Sequence, residues 1–279
     1  MLNLFLAVLS SALVSITMRL SRPYIKKETA LLAVNYLLCS LLSWADTGFA
    51  AFFPAGQGLP TAVGLGLING FLFLAGFVLL QRSIRRNGVV LSATFQKLGL
   101  LVSMVVSVAC FGERPAPWHW FAFAVALIAI VLMNYHPGEG TSGSVAGLLL
   151  LLLSCGGCDI MSKVFEVYGN AALSGHFLLY TFLMALGLCV LLIAGKKQGL
   201  PGRAEWIFGF IVGTPNYFAA KFLLASLAEL NAVIVYPVYS VATLLVVTVT
   251  GVLLFRERLR RLQWAALGMI LLSLVLLNI

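Results

Sequence analysis

What most constrains this chain is a succession of long, almost uncharged apolar runs. They are Leu2–Met18, Thr29–Ala45, Thr61–Gln81, Val89–Phe111, Trp118–Tyr135, Val145–Phe165, Ser174–Gly195, Trp206–Leu227, Ala232–Phe255 and Leu262–Asn278. A bilayer core is about 30 Å thick and takes about 20 apolar residues to cross as a helix, so each run suffices for one passage. Inside lipid every backbone N–H and C=O must be paired within the protein, which leaves helices and closed barrels. These continuous runs lack the alternation of barrel strands. Composition agrees: 61% of the 279 residues are hydrophobic and 10% charged, against about 45–50% and 25% in soluble domains. The expected fold is an all-α integral membrane protein with ten transmembrane helices. The first run lacks a basic leader and a small-residue cleavage site, so it is read as span one and not as a signal peptide.

The net charge of +9 does not point to nucleic acid, because the basic residues sit in short loops. Arg19, Arg22, Lys26 and Lys27 lie between spans one and two, and Arg82, Arg85 and Arg86 between three and four. Lys196, Lys197 and Arg203 lie between seven and eight, and Arg256, Arg258, Arg260 and Arg261 between nine and ten. All four loops fall on one face; the other carries only Arg114 and Lys163. Cytoplasmic loops hold the excess of Lys and Arg, so these four are expected in the cytoplasm and both termini outside.

Sliding the second half over the first by 144 positions aligns residues 87–134 with 231–278 without a gap. The matches include Asn87 with Asn231, Phe111 with Phe255, Glu113 with Glu257, Arg114 with Arg258, Trp120 with Trp264 and Asn134 with Asn278. Such self-similarity reads as an internal duplication. Each half holds five spans, an odd number, so the second copy must enter the membrane upside down, as two inverted five-helix repeats. Residues 1–137 are expected to form the first repeat, 138–144 a polar linker and 145–279 the second repeat.

The segment Phe255-Arg-Glu257-Arg258, running through Gln263-Trp264 into the last span, resembles the loop and final helix of an EamA repeat. Its copy is Phe111-Gly112-Glu113-Arg114 followed by Trp118-His119-Trp120. On these residues the chain resembles the EamA family of the drug/metabolite transporter superfamily. That resemblance implies ten spans in two inverted repeats and a cavity lined by spans one, three, four, six, eight and nine. It also implies transport of small metabolites such as amino acids, organic acids, sugars or drugs across the cytoplasmic membrane. The chain departs from the family's pattern at the proline often found about thirteen residues before the glutamate. Leu100 and Leu244 stand there, and Pro237 lies seven residues before Leu244. The Glu-Arg pairs themselves read as loops ending one helix and starting the next.

Charged side chains within spans are costly and mark functional candidates. Lys97 lies roughly 12 Å into span four at 1.5 Å per residue, with no carboxylate near it in sequence. A bound anionic group is its expected counter-charge. Asp159 and Lys221 share a depth of roughly 21 Å on spans six and eight. Asp159 is expected to pair with Lys221 or Lys163, because an unpaired buried charge tends to neutralise. On span eight Thr214, Tyr217 and Lys221 recur at intervals of three and four and so share a face. Asn69 occupies the corresponding face of span three. These six residues, Lys97, Lys221, Asp159, Tyr217, Thr214 and Asn69, form the expected substrate site, with protons as the candidate coupling ion.

Cys155-Gly-Gly-Cys158 and the two Gly-x-x-x-Gly pairs, Gly66/Gly70 and Gly209/Gly213, read as close helix packing. No phosphate-binding GxxxxGK[ST] loop, HExxH or GxSxG motif occurs, so neither an ATP-driven pump nor an enzyme is expected, and no cofactor. The expected activity is secondary transport of a small polar metabolite bearing an anionic group. The alternatives are a multidrug or lipid-linked-sugar exporter, or a non-transporting scaffold. Reporter fusions at Ile279 test the orientation. Alkaline phosphatase is expected to be active there and green fluorescent protein dark; the reverse pattern contradicts an outside C-terminus.

Overall fold

The structure, a computed structural model, describes residues 1–54, 57–87, 89–133, 145–196, 199–255 and 261–277. The expected linker 138–144 and the Glu257-Arg258 pair lie outside the described residues. Among the described residues there is no strand. The helices are α1 (Leu2–Ser21), α2 (Glu28–Asp46), α3 (Leu59–Asn87), α4 (Val89–Leu98), α5 (Leu100–Phe111) and α6 (Pro117–Met133). They continue as α7 (Val145–Tyr168), α8 (Ser174–Gly195), α9 (Arg203–Glu229), α10 (Ala232–Phe255) and α11 (Arg261–Leu277). Among the described residues seven are long and apolar enough to cross a membrane, and shorter apolar helices at Phe95–Phe111, Pro117–Leu132 and Arg261–Leu277 occupy the other three expected spans. Large apolar side chains such as Phe5, Ile128, Leu150, Leu191, Leu253 and Leu272 lie exposed. In water that surface would be a liability; facing lipid it is the required one.

The chain divides into two compact units. One comprises Met1–Leu74 and Met161–Glu229, the other Ala75–Ile160 and Leu230–Ile279. Each unit therefore takes helices from both halves of the sequence.

In the first unit the helices meet on glycines. A Cβ added to Gly70 on α3 would lie 2.3 Å from the Thr181 carbonyl oxygen of α8, and one on Gly66 would lie 2.8 Å from Tyr180 Cβ. On α9, a Cβ at Gly209 would lie 2.6 Å from Val34 Cβ of α2, and at Gly213 3.0 Å from the Asn35 carbonyl oxygen. Without a solvent-driven hydrophobic force, lipid-embedded helices associate through such close backbone approach and interhelical hydrogen bonds. The α2–α9 seam carries both kinds of contact. Asn216 Nδ2 donates to Asn35 Oδ1 at 3.2 Å, and Cys39 Sγ to the Gly213 carbonyl at 3.3 Å.

The second unit centres on Leu100, Ala126, Ala129, Ile130, Val241, Ala266 and Ile270 from α5, α6, α10 and α11. Ser273 Oγ of α11 donates to the Ala122 carbonyl of α6 at 3.1 Å. Span four differs from its expected single helix: it is interrupted at Gly99, whose N–H bonds the Gln96 carbonyl at 3.3 Å, a tightened turn. Packing accounts for the interruption. A Cβ on Gly156 of α7 would lie 2.5 Å from the Gly99 carbonyl oxygen and 2.6 Å from Val102 Cβ, so the turn passes directly over the glycine pair of α7. The interruption thus stands one residue before Leu100, whereas α10 runs through Pro237 as one helix.

Gly70→Ala is expected to lower thermal stability in detergent by about 1–3 kcal/mol through overpacking. Gly187→Ala, where an added Cβ meets nothing within 4 Å, is expected to leave the melting temperature unchanged or raised. Equal effects of the two would contradict the close α3–α8 seam.

Candidate functional site

The close approach of Gly99 to Gly156 sets Lys97, two residues before Gly99, beside α7. There it interacts electrostatically with Asp159 and Cys155, one turn apart on that helix. The Lys97 ammonium makes no hydrogen bond and no ion pair within 4.0 Å among the described residues. Asp159 is more closely held. Ser103 Oγ of α5 donates to its carboxylate at 3.2 Å, and Tyr236 Oη of α10, a side chain only 1% exposed, donates to its backbone carbonyl at 2.5 Å. Residues of α4, α5, α7 and α10 within the second unit thus meet around Lys97 and Asp159.

The remaining expected site residues lie in the first unit, in several environments. Lys221 forms an ion pair with Asp46, the last residue of α2, and its ammonium stands 5.9 Å from the centre of the Tyr217 ring. Lys163 pairs with Glu166 one turn along α7 at 2.7 Å. The expected partnership of Asp159 with Lys221 or Lys163 therefore gives way to Ser103 and Lys97, since each of those lysines already meets a nearer carboxylate. Tyr217 is buried, with the Asp46 carboxylate near its hydroxyl. Thr214 is exposed, and its hydroxyl donates to the Phe210 carbonyl of its own helix at 3.1 Å, so the polar stripe of span eight spans different surroundings. Asn69 is buried in the α3–α8 seam, with its Nδ2 3.4 Å from Thr181 Oγ1. It joins helix to helix.

Sequence reasoning passed over Asp46, Ser103 and Tyr236. An acid closing a span on the face with few basic residues was the available signal for Asp46. Ser103 and Ser107, spaced four apart, marked a polar stripe on span four. Glu113 also has a sharper part than ending a loop. Gly112, at φ 65°, turns the chain in a left-handed conformation that glycine adopts without strain. Glu113 then reaches the start of α10, where its carboxylate accepts the N–H groups of Ala232 at 3.0 Å and Val233 at 2.9 Å. Those amides have no partner within their helix, and the positive end of the helix dipole favours a carboxylate there. Glu205 acts alike for α2, accepting the N–H groups of Lys26 and Lys27 at 3.2 and 3.3 Å. Among the described residues no cluster of three metal-ligating side chains occurs.

Residues 143–279 match the EamA-like transporter family. An uncharacterized protein of Haemophilus influenzae is 24% identical over 283 residues, covering 94% of this chain and 92% of that protein. A crystal structure of another protein, 15% identical, shares the fold with a TM-score of 0.76 over 99% of this chain and 94% of the other.

Replacing Glu113 by Ala, which leaves two amides of α10 uncapped, is expected to cost about 0.5–2 kcal/mol of stability. Glu113→Gln should recover part of it. Thermal unfolding of the two variants checks this, and an unchanged Glu113→Ala protein would contradict the capping role.

Proposed function

We propose that this multi-pass membrane protein, whose residues 143–279 match the EamA-like transporter family, is a secondary transporter of a small polar metabolite bearing an anionic group. The observation that carries this reading is Lys97: a cation inside a span, facing Asp159 across a gap, with no hydrogen bond or ion pair among the described residues. A lysine in apolar surroundings loses hydration that only an anion or bound water restores. In this reading the anionic group of the substrate takes that place. Asp159 holds the substrate's donor groups or a coupling proton, and Ser103 and Tyr236 fix its position. Amino acids and organic acids fit this chemistry.

Transport proceeds by alternating access between two inverted five-helix repeats, with the four basic loops in the cytoplasm and both termini outside the cytoplasmic membrane. Two observations support the repeat. The 144-residue register relates spans three and eight, and both meet the second span of the opposite half on a Gly-x-x-x-Gly pair: α3 against α8, and α9 against α2. Inverted repeats give a transporter two arrangements of like energy that expose one site to either side.

Lys97→Ala and Asp159→Asn, reconstituted in proteoliposomes, are each expected to reduce flux of the transported metabolite at least about tenfold, with the protein still folded by size exclusion. A proton gradient is expected to drive wild-type flux and to lose that effect in Asp159→Asn. Wild-type flux in both variants would overturn the proposed site.

A further inference from the structure

A cavity of about 360 Å³ lies within the first unit, where α2 and α7 end, α8 begins and α9 completes its last turns. That volume is in the range of small-molecule sites. Its lining combines Asp46, Glu166 and Lys221 with the apolar Phe165, Leu178 and Leu224. The helix ends make it electrically bipolar. α2, α7 and α9 bring C-terminal carbonyl ends, and the first two add the carboxylates of Asp46 and Glu166. α8 brings its N-terminal end, where the Ser174 N–H already bonds the Ala171 carbonyl, and Lys221 of α9 adds a full positive charge. The opposite signs lie close together: a Cβ on Gly175 would meet Thr47 Cγ2 at 2.9 Å and Asp46 Oδ2 at 3.7 Å.

The charged groups are held but still reachable. Lys221 and Asp46 keep 37% and 30% of their side-chain surface although paired with each other, and Glu166 keeps 22% while paired with Lys163. The Tyr217 ring stands beside the Lys221 ammonium, 5.9 Å from it to the ring centre.

We propose that this cavity is a binding site for a small zwitterion, its ammonium on Asp46 or Glu166 and its anionic group on Lys221 at the N-terminal end of α8. A molecule carrying both charges replaces both halves of the Asp46–Lys221 pair, so neither residue is left uncompensated; a singly charged molecule strands one of them. The apolar walls take an aliphatic portion. Free amino acids and the phosphoethanolamine head of a lipid share this chemistry. The site rests on neither Lys97 nor Asp159.

Isothermal titration of the purified full chain in nanodiscs tests it, with L-leucine and O-phosphoethanolamine as zwitterions and 4-methylpentanoate and isopentylamine as singly charged counterparts. At least one zwitterion is expected to bind about tenfold or more tightly than either counterpart, a difference of about 1.4 kcal/mol. Preference for leucine assigns the site to free solutes, and preference for phosphoethanolamine to a lipid headgroup. Binding is expected to be lost in Ala225→Phe, which fills the cavity without touching an ion pair, weakened in Lys221→Gln, and kept in Lys97→Ala. No binding by either zwitterion, equal binding by the counterparts, undiminished binding in folded Ala225→Phe and Lys221→Gln, or loss in Lys97→Ala would each overturn the proposal.

Discussion

A charge placed inside a lipid-facing helix bundle must be met by another charge, by hydrogen bonds or by water, and the structure is organised around the few places where this happens. Two of the intramembrane cations are answered directly: Lys221 by Asp46, and Lys163 by Glu166. The third, Lys97, faces Asp159 without touching it, while Asp159 already draws on Ser103. Removing one partner of a buried ion pair commonly costs about 3–5 kcal/mol, because the survivor stays uncompensated. A pair left apart therefore carries a standing penalty, which under the proposed function a bound solute relieves. That difference sets Lys97 and Asp159 apart from the two closed pairs.

The rest of the fold serves the placement of these groups. Gly99 and Gly156 let the broken span four press against α7, and the contact brings Lys97 beside Asp159. Tyr236 ties α10 to the same stretch of α7 through the Asp159 carbonyl. Far along the same unit, Glu113 caps the start of α10 and fixes where that helix begins. Glu205 does the same for α2 in the other unit. In both cases a carboxylate distant in sequence, Glu113 from the loop after α5 and Glu205 from the first turn of α9, supplies what the helix end lacks, a need that grows where water is scarce.

Much of this was legible in the sequence because the bilayer imposes simple rules. Span number follows from the length of apolar runs, and Gly66/Gly70 and Gly209/Gly213 announced the seams they form. Lys97 and Asp159 stood out because charge is rare within such runs. Their partnership was not legible. It depends on the turn at Gly99, which no proline announces, and on α4 and α7 meeting across about sixty residues of sequence. Asn69 and Thr214 illustrate the opposite limit. A polar residue on a helical face reads alike whether it lines a cavity, bridges two helices as Asn69 does, or bonds its own backbone as Thr214 does.

A double-mutant cycle on thermal stability, combining Lys97→Met with Asp159→Asn in the substrate-free protein, tests the central pairing most directly. Coupled charges predict that the double variant is more stable than the sum of the single losses implies, by about 0.5–3 kcal/mol. Strictly additive losses would mean that Lys97 and Asp159 do not sense each other, and would contradict the account.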